Sequence, residues 1–197
     1  MKNILLELKT SLLLTLVFAV LLCGAYPLAV WAGAQVLFPA QANGSLVTDA
    51  GGAVRGSALL AQSFTSDKYF QPRPSAAGTG YDATSSSGTN LGPTSQKLAD
   101  SIKAAVEAYR TANGLPAAAP VPADAVTSSG SGLDPHISPA NAQLQAARVA
   151  RVRHLPLTKV QALIAARTAD RDFHIFGEPG VNVLLLNRDL DQLPGTP

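Results

Sequence analysis

The chain has 197 residues, room for one ordinary domain and an appendage. Only 14% of them are charged, against roughly 25% in a typical soluble domain, and the formal net charge is +2. No long run of Lys and Arg with interleaved aromatics is present to displace counterions, which argues against nucleic acid as a partner. The single cysteine, Cys23, excludes a disulfide scaffold or a multi-cysteine zinc cluster.

The charge deficit is concentrated. No charged residue occurs between Lys9 and Asp49, and Ser11–Trp31 is apolar enough for a helix of roughly 30 Å, the thickness of a bilayer's hydrocarbon core. Tyr26 and Trp31 sit toward its far end, where amphipathic rings favour headgroups, and Pro27 is expected to kink the helix there. A cleaved signal peptide is the competing reading, with Ala32-Gly33-Ala34 as its site. Such a signal has an apolar region of about 7–15 residues, shorter than this one, so a retained anchor is expected. Leu22 stands where a lipoprotein signal needs a small residue before the cysteine, so Cys23 is read as an inert thiol within the membrane. Lys2 and Lys9 precede the span, which keeps the N-terminus cytoplasmic and sends the rest outward. The expected organisation is residues 1–38 as a short tail and transmembrane helix (about 11–31), and 39–197 as one small extracytoplasmic domain, periplasmic in a Gram-negative cell.

Beyond Gln41 the pattern becomes mixed. Ser45–Phe64 reads as a strand, a tight Asp49-Ala50-Gly51-Gly52 turn and a second strand. Tyr69–Ser95 is a long loop of small and polar residues, of a length that is usually functional or ordered by a partner. A helix follows, capped by Thr94 or Ser95, with Leu98, Ile102, Ala105, Val106 and Tyr109 on one face and Asn113-Gly114 as its end. Leu115–Asp124 reads as a proline-rich extended connector. Ser138-Pro139 starts a helix that runs to about Arg153, and His154 lies at its end, where a cation offsets the dipole. Pro156 separates it from another helix with Val160, Leu163 and Ile164 inward. Gly180–Asn187 reads as a strand buried on both faces. These elements make an α+β domain.

The stretch Ser129–Arg153, "SGSGLDPHISPANAQLQAARVARVR", gathers the candidate chemistry. A nucleophile elbow needs glycine two places before the serine, and Ser129 stands two places before Ser131. No Gly-Lys pair exists to build a phosphate-binding loop. His136, His154 and His174 lack metal-ligand spacing, and His136 is expected to hydrogen-bond within its own loop. Arg148, Arg151 and Arg153 form either a solvated helix face or a docking surface for an acidic partner or lipid headgroup.

Five stretches, "GSALLAQSF", "YFQPRPSA", "SGTNLGP", "VPADAVTSSGSGLDPHISPANAQLQAARVARVR" and "GEPGVNVLLLN", resemble the KdpC family of the bacterial high-affinity potassium-transporting ATPase. Ala61, the Gln71-Pro72 pair, Thr89 and Gly180 depart from that family's usual pattern. The resemblance implies a single-pass inner-membrane subunit without a catalytic site, a tightly bound cofactor or a metal. Its partners would be a P-type ATPase subunit, a potassium-channel-like subunit and membrane lipid, and it would be required for assembly. It would act as a catalytic chaperone raising the ATPase subunit's affinity for ATP, and ATP would be met only through the complex. Gln62 matches the family glutamine suggested to contact nucleotide. Outward topology would keep Gln62 from cytoplasmic ATP, so an effect on affinity would be a coupling between distant sites. Asn90, Ser129, Ser131, Asp134 and His136 are expected to order the two long loops against each other or a partner, with Arg148 a further partner-contact or loop-ordering candidate. A membrane-anchored hydrolase and a ligand-binding module are the alternatives from residue chemistry.

Overall fold

The computed structural model describes residues 2–49 and 51–193, which divide between Leu46 and Val47 into two compact units. The first is helical: α1 (Lys2–Val20), a π-bulge (Leu21–Ala25), α2 (Tyr26–Leu37) and the single turn α3 (Pro39–Ala42). Asn3–Leu37 forms a candidate membrane span of 35 residues, with a mean hydropathy of 2.3 in its most apolar window. At about 1.5 Å per residue it is roughly 50 Å long, more than the bilayer core requires. Leu12, Leu16, Phe18, Leu22, Tyr26 and Trp31 all stand exposed on it, as a lipid-facing helix demands. The bulge has a local cause. Pro27 lacks an N–H and its ring would strike the carbonyl four residues back, at Cys23; the wide turn falls there, and Pro27 enters the first turn of α2.

A two-stranded sheet follows, of β1 (Leu46–Thr48), whose first residue is the last of the first unit, and β2 (Val54–Ser57). Asp49 Oδ1 accepts from the amides of Gly51 and Ala53, both at 2.9 Å, and Gly52 takes a left-handed φ of +81°. Ala50 of the expected turn lies outside the described residues. The Ala53 amide and the Arg55 guanidinium hold the Asp49 carboxyl below its ordinary value.

Of helices α4 (Gln96–Asn113), α5 (Pro139–Val152), α6 (Leu157–Arg167) and α7 (Val183–Asp191), the last three pack on a three-stranded antiparallel sheet in the order β3 (His136–Ile137), β5 (Gly180–Asn182), β4 (Thr168–Ala169), and α4 packs on α5. Ile137 and Thr168 both pair with Val181, so the short strands share one register point. Ser95 Oγ accepts from the Leu98 amide, and Gly114 closes α4 with φ +64°. Ser138 caps α5 from in front of Pro139, and the left-handed His154 (φ +53°) follows its end. The connector 115–124 is turned at Pro116–Ala119, where Arg110 donates twice to the Ala119 carbonyl, and ends in one 3-10 turn, Ala123–Ala125.

The core joins Ala142, Ala146 and Val149 of α5, Val160 and Ile164 of α6, Leu186 and Leu190 of α7, and Ile137 and Val181 of the sheet. It is completed from outside these elements by Phe70 of the long loop, fully buried and worth about 1.5–3 kcal/mol in transfer free energy. The stripe expected on α4 is only half-buried, so that helix is peripheral.

The stretch expected as one buried strand, Gly180–Asn187, divides. Only Gly180–Asn182 pairs in the sheet, and Val183–Asp191 is helix. Asn182 Oδ1 accepts from the Leu185 amide at 3.1 Å and starts α7. Val183, Leu186, Asn187 and Leu190, spaced by three and four, then face inward together.

Candidate functional site

The long loop is held on two sides by side chains that bind its backbone. On one side α5 and α7 grip residues 67–71. Asn187 accepts from the Phe70 amide at 2.8 Å and donates to the Phe70 carbonyl at 2.9 Å. Gln145 does the same for Gln71, at 2.8 and 3.0 Å. Each carboxamide reproduces the donor and acceptor of a neighbouring strand, so a segment with no strand partner is still satisfied. Arg148 donates to the carbonyls of Asp67 and Tyr69, to Gln145 Oε1 and to Asn113 Oδ1. Arg153 donates to the Lys68 carbonyl at 2.6 Å and to Asp191 at 2.7 Å, and lies over the Tyr69 ring.

A solvated or docking face made of Arg148, Arg151 and Arg153 is therefore not what forms. Arg148 is 1% exposed and Arg153 is 3% exposed, while Arg151 alone of the three reaches solvent. The carbonyls of residues 67–69 have no ladder partner and need donors; a guanidinium, with five N–H groups in a fixed fork, supplies several at once. Burial lowers the Arg148 pKa from its ordinary value, against the nearby Asp67 charge.

A polar row continues along α5. Gln145 donates to Asn141 Oδ1 at 2.9 Å, Tyr109 Oη donates to the same atom at 2.8 Å, and Asn141 Nδ2 donates to Asp124 at 3.0 Å. Burial pushes the Tyr109 hydroxyl pKa well up, so it remains a donor. Asp124 also accepts from the Ser138 amide and hydroxyl, placing a carboxylate at the start of α5, where the helix dipole favours it.

On the other side the long loop meets the serine-glycine stretch. Ser75 Oγ donates to the Gly132 carbonyl at 2.6 Å, while the Ser87 amide and Ser86 Oγ both donate to the Ser131 carbonyl at 3.0 Å. Arg73 bridges to Asp134 at 3.2 Å and to the Ser128 carbonyl. Gly132 has φ +69°, and a Cβ there would stand 2.6 Å from the Ser87 oxygen and 2.7 Å from the Ala77 nitrogen. Only glycine fits that approach.

Of the residues singled out in the sequence, Ser129, Ser131, Asp134 and His136 lie along this junction. The Ser129 and Ser131 hydroxyls are 3.5 Å apart, and Ser131 Oγ accepts from the Leu133 amide. Asp134 Oδ1 accepts from the His136 amide at 3.0 Å, with the His136 imidazole Nδ1 at 3.5 Å. The His136 side chain, its amide and Arg73 hold the Asp134 carboxyl below its ordinary value. Neither serine is hydrogen-bonded to His136 among the described residues, so no base is paired with a nucleophile here. Asn90 stands apart, exposed and left-handed at φ +53°, a conformation asparagine tolerates better than most residues. Gln62 lies elsewhere again, against Gly56, where an added Cβ would overlap its side chain, and lines a cleft of about 500 Å3 with Asp49, Arg55, Tyr69, Arg188 and Asp191.

Asn187 and Gln145, the two carboxamides that do most to place the loop, carried no expectation from sequence. Asn141, Gln145 and Arg148 share the helical spacing of the buried Ala142, Ala146 and Val149, and that polar row beside an apolar one is the signal that marks them.

These features define a class: a helix long and apolar enough to span a membrane, joined in one chain to a loop-rich α+β domain whose polar side chains bind its own backbone. Residues 8–192 match the family described as K+-transporting ATPase, c chain, KdpC. The chain is 58% identical over 167 residues to a potassium-transporting ATPase KdpC subunit of Myxococcus xanthus, covering 85% of this chain and 79% of that one. It is 54% identical over 185 residues to that of Rhodospirillum rubrum, covering 94% and 95%, and 52% identical over 187 residues to that of Mycobacterium bovis, covering 95% and 98%. The chain belongs to the KdpC family.

Proposed function

We propose that this chain is the single-anchor accessory subunit of an ATP-driven potassium pump, associated with a P-type ATPase subunit and a potassium-channel-like subunit. It is needed for their assembly and acts as a catalytic chaperone that raises the ATPase subunit's affinity for ATP. The anchor crosses the cytoplasmic membrane with Lys2 and Lys9 inside, and the α+β domain faces the periplasm or exterior. Because that domain is separated from cytoplasmic nucleotide, its effect on ATP is a coupling free energy carried through the complex, and Gln62 does not touch ATP.

The observation that carries this reading is where the polar side chains are directed. Arg148, Arg153, Asn187, Gln145, Arg73 and Ser75 bind the domain's own loop backbone, which favours a preformed surface over a reactive centre. A surface ordered before association loses less conformational entropy when a partner docks. Asp134 and His136, held together at the loop junction, contribute to that order.

The test is reconstitution of the pump with and without this subunit. The KM for ATP is expected to rise when the subunit is omitted, and potassium-stimulated turnover to fall. Replacing Asp134 and His136 together with alanine is expected to lower recovery of the assembled complex. An unchanged KM without the subunit, or normal assembly and potassium uptake in the double variant, would contradict the corresponding part of the proposal.

A further inference from the structure

Between α6 and β5 the chain makes a small hairpin with no place in the core. Asp172 and Phe176 bridge each other, with the Asp172 amide donating to the Phe176 carbonyl and the Phe176 amide donating back, both at 2.9 Å. The Ile175 amide also donates to the Asp172 carbonyl, and Arg171 pairs with Glu178 at 2.6 Å across the base. This is a built turn, and its apolar side chains point outward: Phe173 is 86% exposed, Ile175 69% and Phe176 65%. Single exposed apolar residues need no explanation, but three at one tip do.

The turn is also strained toward that arrangement. Phe173 and His174 both have left-handed φ, +53° and +61°. Turns of this kind normally use Asn-Gly or Asp-Gly, because a bulky residue at positive φ is an outlier. A conformation that costs free energy and gains the domain no buried contact is a pointer to function outside the fold.

Charge decides what the tip meets. Asp170, Asp172 and Glu178 flank it, with Arg171 paired to Glu178 and His174 beside Asp170, and the adjacent cleft is also lined by Asp124, Asp134, Arg73 and His136, so five carboxylates stand against two guanidiniums. An anionic leaflet would be repelled by this set, since membrane-surface segments depend on Lys and Arg. A protein surface with basic groups would be attracted by it. We propose that the Phe173–Ile175–Phe176 tip is a docking anchor that inserts into an apolar recess rimmed by Lys or Arg side chains on another subunit of the pump. The proposal rests on the accessory-subunit reading above. Exposed aromatic anchors of this kind carry a disproportionate share of interface free energy.

The test uses the full chain expressed with its co-subunits. Phe173 is replaced by a photoreactive benzoyl-phenylalanine, native membranes are irradiated, and the complex is recovered through a C-terminal tag on this chain. The expected result is a covalent adduct with another subunit, mapped to an apolar segment that includes Lys or Arg. An adduct with lipid alone, with a second copy of this chain alone, or no protein adduct from a recovered complex would overturn the proposal. In parallel, Phe173→Ser combined with Phe176→Ser is expected to reduce recovery of the other subunits about tenfold or more, as loss of two anchors should. Phe173→Leu is expected to retain most of it, and the melting temperature of the chain should be unchanged in both variants because the tip lies outside the core. Undiminished recovery in the double serine variant also overturns the proposal. If the unsubstituted chain brings down no other subunit, the accessory-subunit reading itself fails, and the proposal fails with it.

Discussion

Asn187 on α7 pairs with both backbone polar groups of Phe70, 117 positions earlier in the chain, through one carboxamide. The pair fixes the point where the long loop enters the core, because Phe70 is fully buried and its N–H and C=O have no strand to bind. Replacing Asn187 with the similarly sized leucine strips both partners from a buried site. Each unsatisfied buried group costs about 1–3 kcal/mol, so Asn187→Leu is expected to lower stability by about 2–5 kcal/mol. Equilibrium denaturation of the chain measures this, and a loss under about 1 kcal/mol would show that the loop finds other partners.

Arg148 makes a second prediction, which separates its charge from its shape. Lysine keeps the charge but cannot span the Asp67 and Tyr69 carbonyls, Gln145 and Asn113 together. Arg148→Lys and Arg148→Met are therefore both expected to destabilise, by about 2–4 kcal/mol, as several buried acceptors lose donors. Thermal melts of the two variants check this. A lysine variant with wild-type stability would contradict the geometric reading.

Much of this domain was legible in the sequence, and the parts that were not have a common cause. The ends of α4 and the start of α5 could be read because Ser95, Gly114 and the Ser138-Pro139 pair act within one turn of themselves. The inward face of α6 could be read from the spacing of Val160, Leu163 and Ile164. Arg148 was a candidate for ordering a loop or meeting a partner, but the burial of Arg148 and Arg153 could not be read, since a charged residue on a helix is ordinarily solvated and the carbonyls they bind lie some 80 positions away. The apolar run Val183–Leu186 fits a buried strand as well as a helix, and the choice falls to the Asn182 cap and the following Leu190. Ser129, Ser131, Asp134 and His136 were visible as a polar cluster; Arg73 and Ser75, which tie the long loop to it, were not.

At the loop junction, glycine positions differ sharply in what they tolerate. Gly132→Ala forces a side chain into left-handed backbone and onto the Ser87 and Ala77 backbone, whereas Gly92→Ala meets nothing within 4 Å. Gly132→Ala is expected to destabilise by more than about 1 kcal/mol and to open residues 75–90 to limited proteolysis, while Gly92→Ala leaves both unchanged. Equal protease resistance in the two variants would contradict the close loop packing.

Asp134 predicts a pH dependence. Its folded-state pKa lies below the unfolded value of about 3.9, so in the window between the two the unfolded state binds more protons. Its contribution to stability is present above the unfolded value and is lost as pH falls through the lowered folded value. The carboxylate is partly exposed, so the effect is modest. Asp134→Asn should flatten the decline of the denaturation midpoint below about pH 4 relative to the unsubstituted chain. Identical acid limbs would show that the His136 and Arg73 contacts do not favour the charged form.

The central claim, that this chain works as a subunit within a potassium pump, is tested most directly by purification from native membranes in mild detergent through a C-terminal tag. Co-purification of a P-type ATPase subunit and a channel-like subunit, with ATP hydrolysis stimulated by potassium, is the predicted result. Recovery of the protein alone, under conditions that keep other membrane complexes intact, would contradict it.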